Sequence, residues 1–222
     1  PAVLGSASDL EPLPLTIVPM YFELDGTFPN HEANPIDAKN LKDLQKAVKK
    51  NGADIGLAFD GDADRCLAVN ELGELIDGDQ ILGLLAIRMN EQKKLAGGTV
   101  VATVMSNLGF TQAMTAAGIE TIRTAVGDRY VLEEMRAQNF TLGGEQSGHV
   151  ILSEYATTGD GVLTGLQLAA LIKDSGKTAS ELAGQIKRLP QILINVKGVD
   201  KAGVKHPDVV AAVAQLEQEL AD

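Results

Sequence analysis

Apolar residues recur along this chain in two rhythms, short continuous runs and stripes spaced three to four apart, and their alternation predicts strands followed by helices. "LTIVPMYFEL" (15–24) reads as a strand interrupted by Pro19, and "FPNHEANPID" after it as a loop that carries His31. From Asp37, placed as an N-cap, Leu41, Leu44 and Val48 fall on one helical face with basic residues at its end. "ADIGLAF" and "CLAV" are short strands on either side of an acidic stretch, and "NELGEL" is a turn. Asp79 is placed to cap a helix with Ile81, Leu84, Leu85 and Met89 on one face. A second unit opens with the strand "GGTVVATVM". A helix over 107–117, the strand "IETIRT" and a helix over 128–138 follow. "FTLGGEQSGHVIL" reads as strand, turn, strand, and Asp160 is placed to cap an amphipathic helix that ends at Gly176. After Pro190, "QILINVKGV" predicts a strand, and Pro207 opens a last helix behind His206 with Val209, Val213 and Leu216 on its face. The expected fold class is α/β, with two consecutive layered domains of mixed, largely parallel sheets and the start of a third unit.

Composition narrows the partners. A net charge of −11 and a pI near 4.7 argue against nucleic acid and anionic membrane surfaces, both of which call for a basic face. No apolar run reaches the roughly 18 residues of a membrane span, and no secretory leader is read at Pro1, which enters an apolar segment as if from the middle of a longer chain. Cys66 is the only cysteine, so an internal disulfide is excluded and a cytoplasmic setting is expected. It opens an apolar strand and reads as a small buried hydrophobe.

The acidic stretch is "LAFDGDADRCLAV" (57–69). On extended backbone, residues two apart share a side, so Asp60, Asp62 and Asp64 converge, and the small Gly61 and Ala63 let the chain bend round one point. Three converging carboxylates repel one another unless a hard divalent cation sits among them, and Mg²⁺ suits a site that keeps positions open for phosphate oxygens. Arg65 adds a guanidinium fork matched to phosphate. An EF-hand is excluded, because its sixth position must be Gly and here is Arg65. A phosphatase in which Asp60 attacks phosphorus is the enzyme alternative on chemistry alone, and a solvated acidic turn is the bland one.

A second dense stretch is "GGEQSGH" (143–149). Gly143, Gly144 and Gly148 permit a tight loop, and the alternating Glu145, Ser147 and His149 present a carboxylate, a hydroxyl and an imidazole suited to a polyhydroxylated ligand. The bland alternative is a glycine hairpin with incidental polar residues. Arg129, in "VGDRY" at a helix start, is a further phosphate candidate.

"FDGDADR" followed some eighty residues later by "GGEQSGH" resembles the α-D-phosphohexomutase superfamily. "VATVMSNLGF", "VGDRYVLEEM" and "TTGDGVLTGLQL" are similar to its phosphoglucosamine mutase branch, whereas "FELDGTFPNHEANP" and the helix after it are more similar to the phosphomannomutase/phosphoglucomutase branch. The resemblance implies that Asp60, Asp62 and Asp64 ligate Mg²⁺ and that Arg65 is catalytic. It also implies that Glu145, Ser147, His149 and Arg129 bind a hexose phosphate. It implies three segments: a truncated metal-loop domain 2 over 1–75, the sugar-binding domain 3 over 76–190, and the start of the phosphate-binding domain 4 over 191–222. Such enzymes pass a phosphoryl group between a phosphoserine and the sugar, interconverting hexose 6-phosphate and 1-phosphate. The serine loop of domain 1 and the closing loop of domain 4 are not found here, so these missing domains are expected as partners and the chain alone is expected to be inactive. A non-catalytic sugar-phosphate-binding module is the second reading.

Overall fold

The computed structural model describes residues 14–23, 25–194 and 196–220. They fall into two units, one running through Leu189 and one starting at Pro190.

The first unit holds two sheets. A turn of 3-10 helix (Ala38–Leu41), capped by the Asp37 carboxylate on the Lys39 N–H, leads into α1 (Lys42–Asn51), which closes on Gly52 in the left-handed region. The first sheet is an antiparallel meander of β1 (Ile55–Phe59), β2 (Cys66–Asn70) and β3 (Leu75–Ile76). The β1–β2 register pairs Phe59 with Cys66, so residues 60–65 are the hairpin loop. β2 lies between its two neighbours and is buried along its whole length.

The second sheet has the order β5-β4-β6-β7, built from β4 (Thr99–Thr103), β5 (Glu120–Thr124), β6 (Leu142–Gly144) and β7 (Val150–Leu152). The first three pair in parallel and β7 runs antiparallel to β6. Successive strand residues face opposite ways, which makes three layers. Val100, Ala102 and Leu142 pack toward α2 (Gly78–Glu91), α3 (Leu108–Ala116), α5 (Gly161–Ser175) and α6 (Ala179–Ala183), against Ile81, Leu82, Phe110, Met114 and Leu168. Val101 and Ile151 face the other way, under Val131 and Met135 of α4 (Asp128–Gln138). Each such side chain contributes about 1.5–3 kcal/mol on burial. α5 also covers the first sheet, with Gly165 so close that a Cβ there would stand 2.7 Å from Leu57. No helix among the described residues is long and apolar enough to cross a membrane. The second unit holds a 3-10 turn (Lys201–Lys205) and α7 (Pro207–Leu220), whose apolar residues Val209, Val213 and Leu216 are exposed.

Several expectations need correcting. Residues 15–23 form no strand; Leu24 lies outside the described residues. Pro19 removes an N–H donor there, and β1 pairs on the β2 side alone among the named strands. The segment from Gln191 is likewise not a strand in its described residues, with Asn195 outside them, and Ile192, Leu193 and Ile194 are exposed. The mixed, largely parallel arrangement holds in the second sheet, while the first is antiparallel. Finally, Asp79 does not cap α2. Asp77 does, in a reciprocal box with Gln80, and Asp79 is buried within the first turn.

Candidate metal and sugar-phosphate site

The hairpin loop draws Asp60, Asp62 and Asp64 together by turning, not by strand alternation. Ala63 takes a left-handed φ of 59°, an uncommon choice for a residue with a Cβ, and its N–H closes on the Asp60 carbonyl at 3.3 Å. One carboxylate oxygen from each aspartate then lies within 4.8 Å of the others. Asp60 is buried, Asp64 half-buried and Asp62 exposed. Arg65 grips Asp60 twice, through its backbone N–H to Oδ1 at 3.1 Å and its Nε to Oδ2 at 2.5 Å. Burial pushes the Asp60 carboxyl up, but these donors outweigh it and hold the group below the ordinary carboxylate range. Asp64 goes the other way, raised by burial and then by the neighbouring Asp60 charge. Two carboxylates pushed apart in this manner suit a divalent cation, which lets both ionise. An all-oxygen donor set with one exposed member fits a hard ion that retains open positions.

The "GGEQSGH" loop lies against this hairpin. Cys66 donates its N–H to the Gly148 carbonyl at 3.0 Å, and Arg65 and His149 form an isolated antiparallel bridge. Gly148 has a φ of 94°, and a Cβ there would meet the Cys66 carbonyl oxygen at 2.5 Å, so this position requires glycine. Gly143 and Gly144 are not turn residues; they lie in β6, where Met135 and the His149 carbonyl press against them. Glu145 accepts from the Gly127 N–H at 3.0 Å, which fixes its carboxylate beside the start of α4. Glu145 and Ser147 line a cavity together with Asp77, Thr103, Met105 and Arg188.

His149 is not beside them. It turns inward, 3% exposed, where its Nδ1 meets Asp64 Oδ2 at 2.9 Å and its Nε2 accepts from the Gly159 N–H at 3.2 Å. Turning at Gly148 breaks the alternation that would have shown it to the ligand. Arg129 stands at the start of α4, where the sequence placed it. Its side chain is 80% exposed on α4 and pairs with Glu133 at 2.7 Å, an i,i+4 contact that draws it along the helix. Asp77 and Arg188, 3.6 Å apart, belong to the cavity but carried no chemical pattern in the sequence. The Arg188 backbone is held by its neighbour, for Asn107 exchanges two hydrogen bonds with the Leu189 main chain at 2.8 and 2.9 Å.

Two family models match the chain. Residues 77–189 match the model for phosphoglucomutase/phosphomannomutase, alpha/beta/alpha domain III, and residues 4–73 match that for domain II. The chain belongs to the phosphoglucomutase/phosphomannomutase family. It is 61% identical over 181 residues to a phosphoglucosamine mutase of Cutibacterium acnes, covering 81% of this chain and 40% of that protein. A phosphoglucosamine mutase of Nocardia farcinica is 54% identical over 208 residues, or 93% of this chain and 45% of the relative. The chain therefore spans about two-fifths of the length of the curated relatives it matches. Among solved structures, a phosphoglucomutase/phosphomannomutase family protein from Burkholderia thailandensis superposes with a TM-score of 0.71 at 29% identity, over 77% of this chain and 37% of that one.

Proposed function

We propose that this chain is the central part of a Mg²⁺-dependent phosphohexomutase that converts glucosamine 6-phosphate to glucosamine 1-phosphate through a phosphoserine and a bisphosphorylated sugar. Residues 1–75 would form its metal-loop domain, 76–190 its sugar-binding domain, and 191–222 the opening of its phosphate-binding domain. The observation that carries the reading is the stitching of two loops: three carboxylates within 4.8 Å of one another lie on a hairpin bonded to the loop that bears Glu145 and Ser147.

In this reading Asp60, Asp62 and Asp64 hold the Mg²⁺, which when bound offsets charge on a transferring phosphoryl group. Arg65, whose Nε holds Asp60, directs its remaining guanidinium N–H groups at a phosphoryl oxygen. Glu145 accepts from sugar hydroxyls, and Ser147 donates or accepts as the sugar turns over between the two halves of the reaction. The named relatives favour glucosamine phosphate as the substrate. Cytoplasmic location fits the acidic composition and the single cysteine. An Asp60-nucleophile phosphatase fits less well, since Asp60 is 1% exposed and both its oxygens are engaged by Arg65.

Calorimetric titration of Mg²⁺ into this chain and into Asp60→Ala/Asp62→Ala, each with and without glucosamine 6-phosphate, tests the proposal. Binding that the double variant loses supports it. Equal heats from the two proteins would overturn the metal assignment. Mutase turnover by the 222-residue chain alone would overturn the requirement for the serine domain.

A further inference from the structure

The three carboxylates are held by different parts of the fold. Asp60 is fixed within its own hairpin by the Arg65 backbone and guanidinium. Asp62 is exposed. Asp64 lies 3.6 Å from Arg65 Nε within its hairpin and is also anchored from outside it, by His149 of the glycine loop at 2.9 Å, across 85 residues of sequence. The Gly159 N–H reaches Nε2 of the same ring, so that nitrogen is the acceptor and the ring proton sits on Nδ1, where it donates to Asp64 Oδ2. The ring has little freedom. It is 3% exposed, and a Cβ on Gly159 would stand 2.4 Å from its Cε1.

We propose that His149 is a positioning residue for the metal site, orienting the Asp64 carboxylate and thereby linking cation affinity to the state of the sugar-contacting loop. The inference rests on the metal reading above and adds to it a residue that touches no cation. Metal ligands depend on the groups that orient them, and loss of such a partner typically costs about 10–100-fold in metal affinity. Here the partner belongs to the loop that carries Glu145 and Ser147, and the Glu145 N–H is bonded to the His149 carbonyl at 2.9 Å. A ligand that shifts this loop therefore shifts His149 and Asp64 with it. Thermodynamic linkage makes the effect mutual: if the sugar phosphate tightens the cation, the cation tightens the sugar phosphate by the same factor.

Three variants separate the hydrogen bond from mere packing. His149→Asn places an amide N–H near the position of Nδ1 and keeps the donor to Asp64. His149→Gln carries its amide oxygen near Nε2, where it can accept from Gly159, but removes the donor. Gly159→Ala leaves His149 in place and displaces its ring. Mg²⁺ affinity is measured by calorimetry on each folded chain, with circular dichroism confirming the fold, and then with glucosamine 6-phosphate present. The expected result is at least about a tenfold loss for His149→Gln and for Gly159→Ala, with His149→Asn within about threefold of the unaltered chain. The sugar phosphate should tighten Mg²⁺ in the unaltered chain and fail to do so in His149→Gln. Retention of wild-type affinity by both His149→Gln and Gly159→Ala overturns the inference while leaving the metal reading intact. A loss in His149→Asn equal to that in His149→Gln overturns the hydrogen-bond assignment. Absence of any Mg²⁺ binding to the unaltered chain overturns the metal reading and this inference together.

Discussion

Replacing Asp79 with Asn should make this protein more stable at neutral pH. Asp79 is 1% exposed in the first turn of α2, and one of its oxygens accepts from the Asn107 N–H at 2.6 Å. Its other oxygen has no hydrogen-bond partner, nor does the buried Ser106 hydroxyl. Burial raises the carboxyl from 3.8 to about 6, the Asp77 charge adds to the rise, and the Asn107 N–H, with Ser106 and Gln146 nearby, offsets part of it. Because the folded-state value lies above the unfolded one, ionisation favours unfolding. Stability from this group is complete below pH 4, falls between about pH 4 and 6, and stays low above that. The cost at pH 7.5 is about 3 kcal/mol. An Asn at 79 keeps an oxygen for the Asn107 N–H, carries no charge and can donate to the Ser106 hydroxyl. Urea unfolding of both chains at pH 4.5, 6 and 7.5 measures the difference. We expect Asp79→Asn to gain about 1–3 kcal/mol at pH 7.5 and to lose most of that advantage at pH 4.5. A variant less stable at pH 7.5, or a gain that does not change with pH, would refute the reasoning.

Four shorter predictions follow from the same structure. Gly148→Ala should cost at least about 2 kcal/mol in chemical unfolding, because it sets a Cβ on a residue at φ 94° and against the Cys66 carbonyl. Asn107→Ala should cost about 2 kcal/mol, since it removes the α3 cap on the Gly109 N–H and both bonds to Leu189. Burial pushes the Cys66 thiol far above its ordinary range, so iodoacetamide should label it no faster than the chain unfolds; rapid labelling of native protein would contradict its placement. Mg²⁺ at a hundred times its dissociation constant should stabilise the chain by about 2.7 kcal/mol in thermal or urea unfolding, and Asp60→Ala/Asp62→Ala should show no such gain.

Local chemistry was the legible part of the sequence. The helices over 42–51 and 128–138 and the caps at Asp37 and Asp160 follow from periodicity and side-chain type. The clustering of Asp60, Asp62 and Asp64 was legible too, through the bend expected at Gly61 and Ala63 and not through strand alternation, since a left-handed Ala63 brings them together. Asp77 and Asp79 both have the side chain of a cap, and Gln80, three residues past Asp77, marks Asp77 as the one that closes the box. The strands expected at 15–24 and from 191 had suitable residues, but a strand is stable only where a neighbour pairs with it, and composition does not reveal neighbours. The same limit hid the partners of His149. Which way its ring points depends on Gly148, on Gly159 and on an aspartate far away in sequence, and only the folded chain brings them together.

The seam between the two loops also bears on how such proteins change over time. The Cys66 carbonyl excludes a side chain at Gly148, the Arg65 and Ala63 carbonyls crowd Gly161, and the His149 ring excludes one at Gly159. The hairpin thus sets part of the steric specification of the glycine loop and of the start of α5, and the glycine loop sets that of Gly159. Drift in either must be answered in its counterpart, and a recombination crossover placed between residues 73 and 77, where the two family matches meet, would pair loops that had not been selected together. Exchange of the glycine loop among relatives should succeed when the hairpin travels with it, and fail more often when it does not.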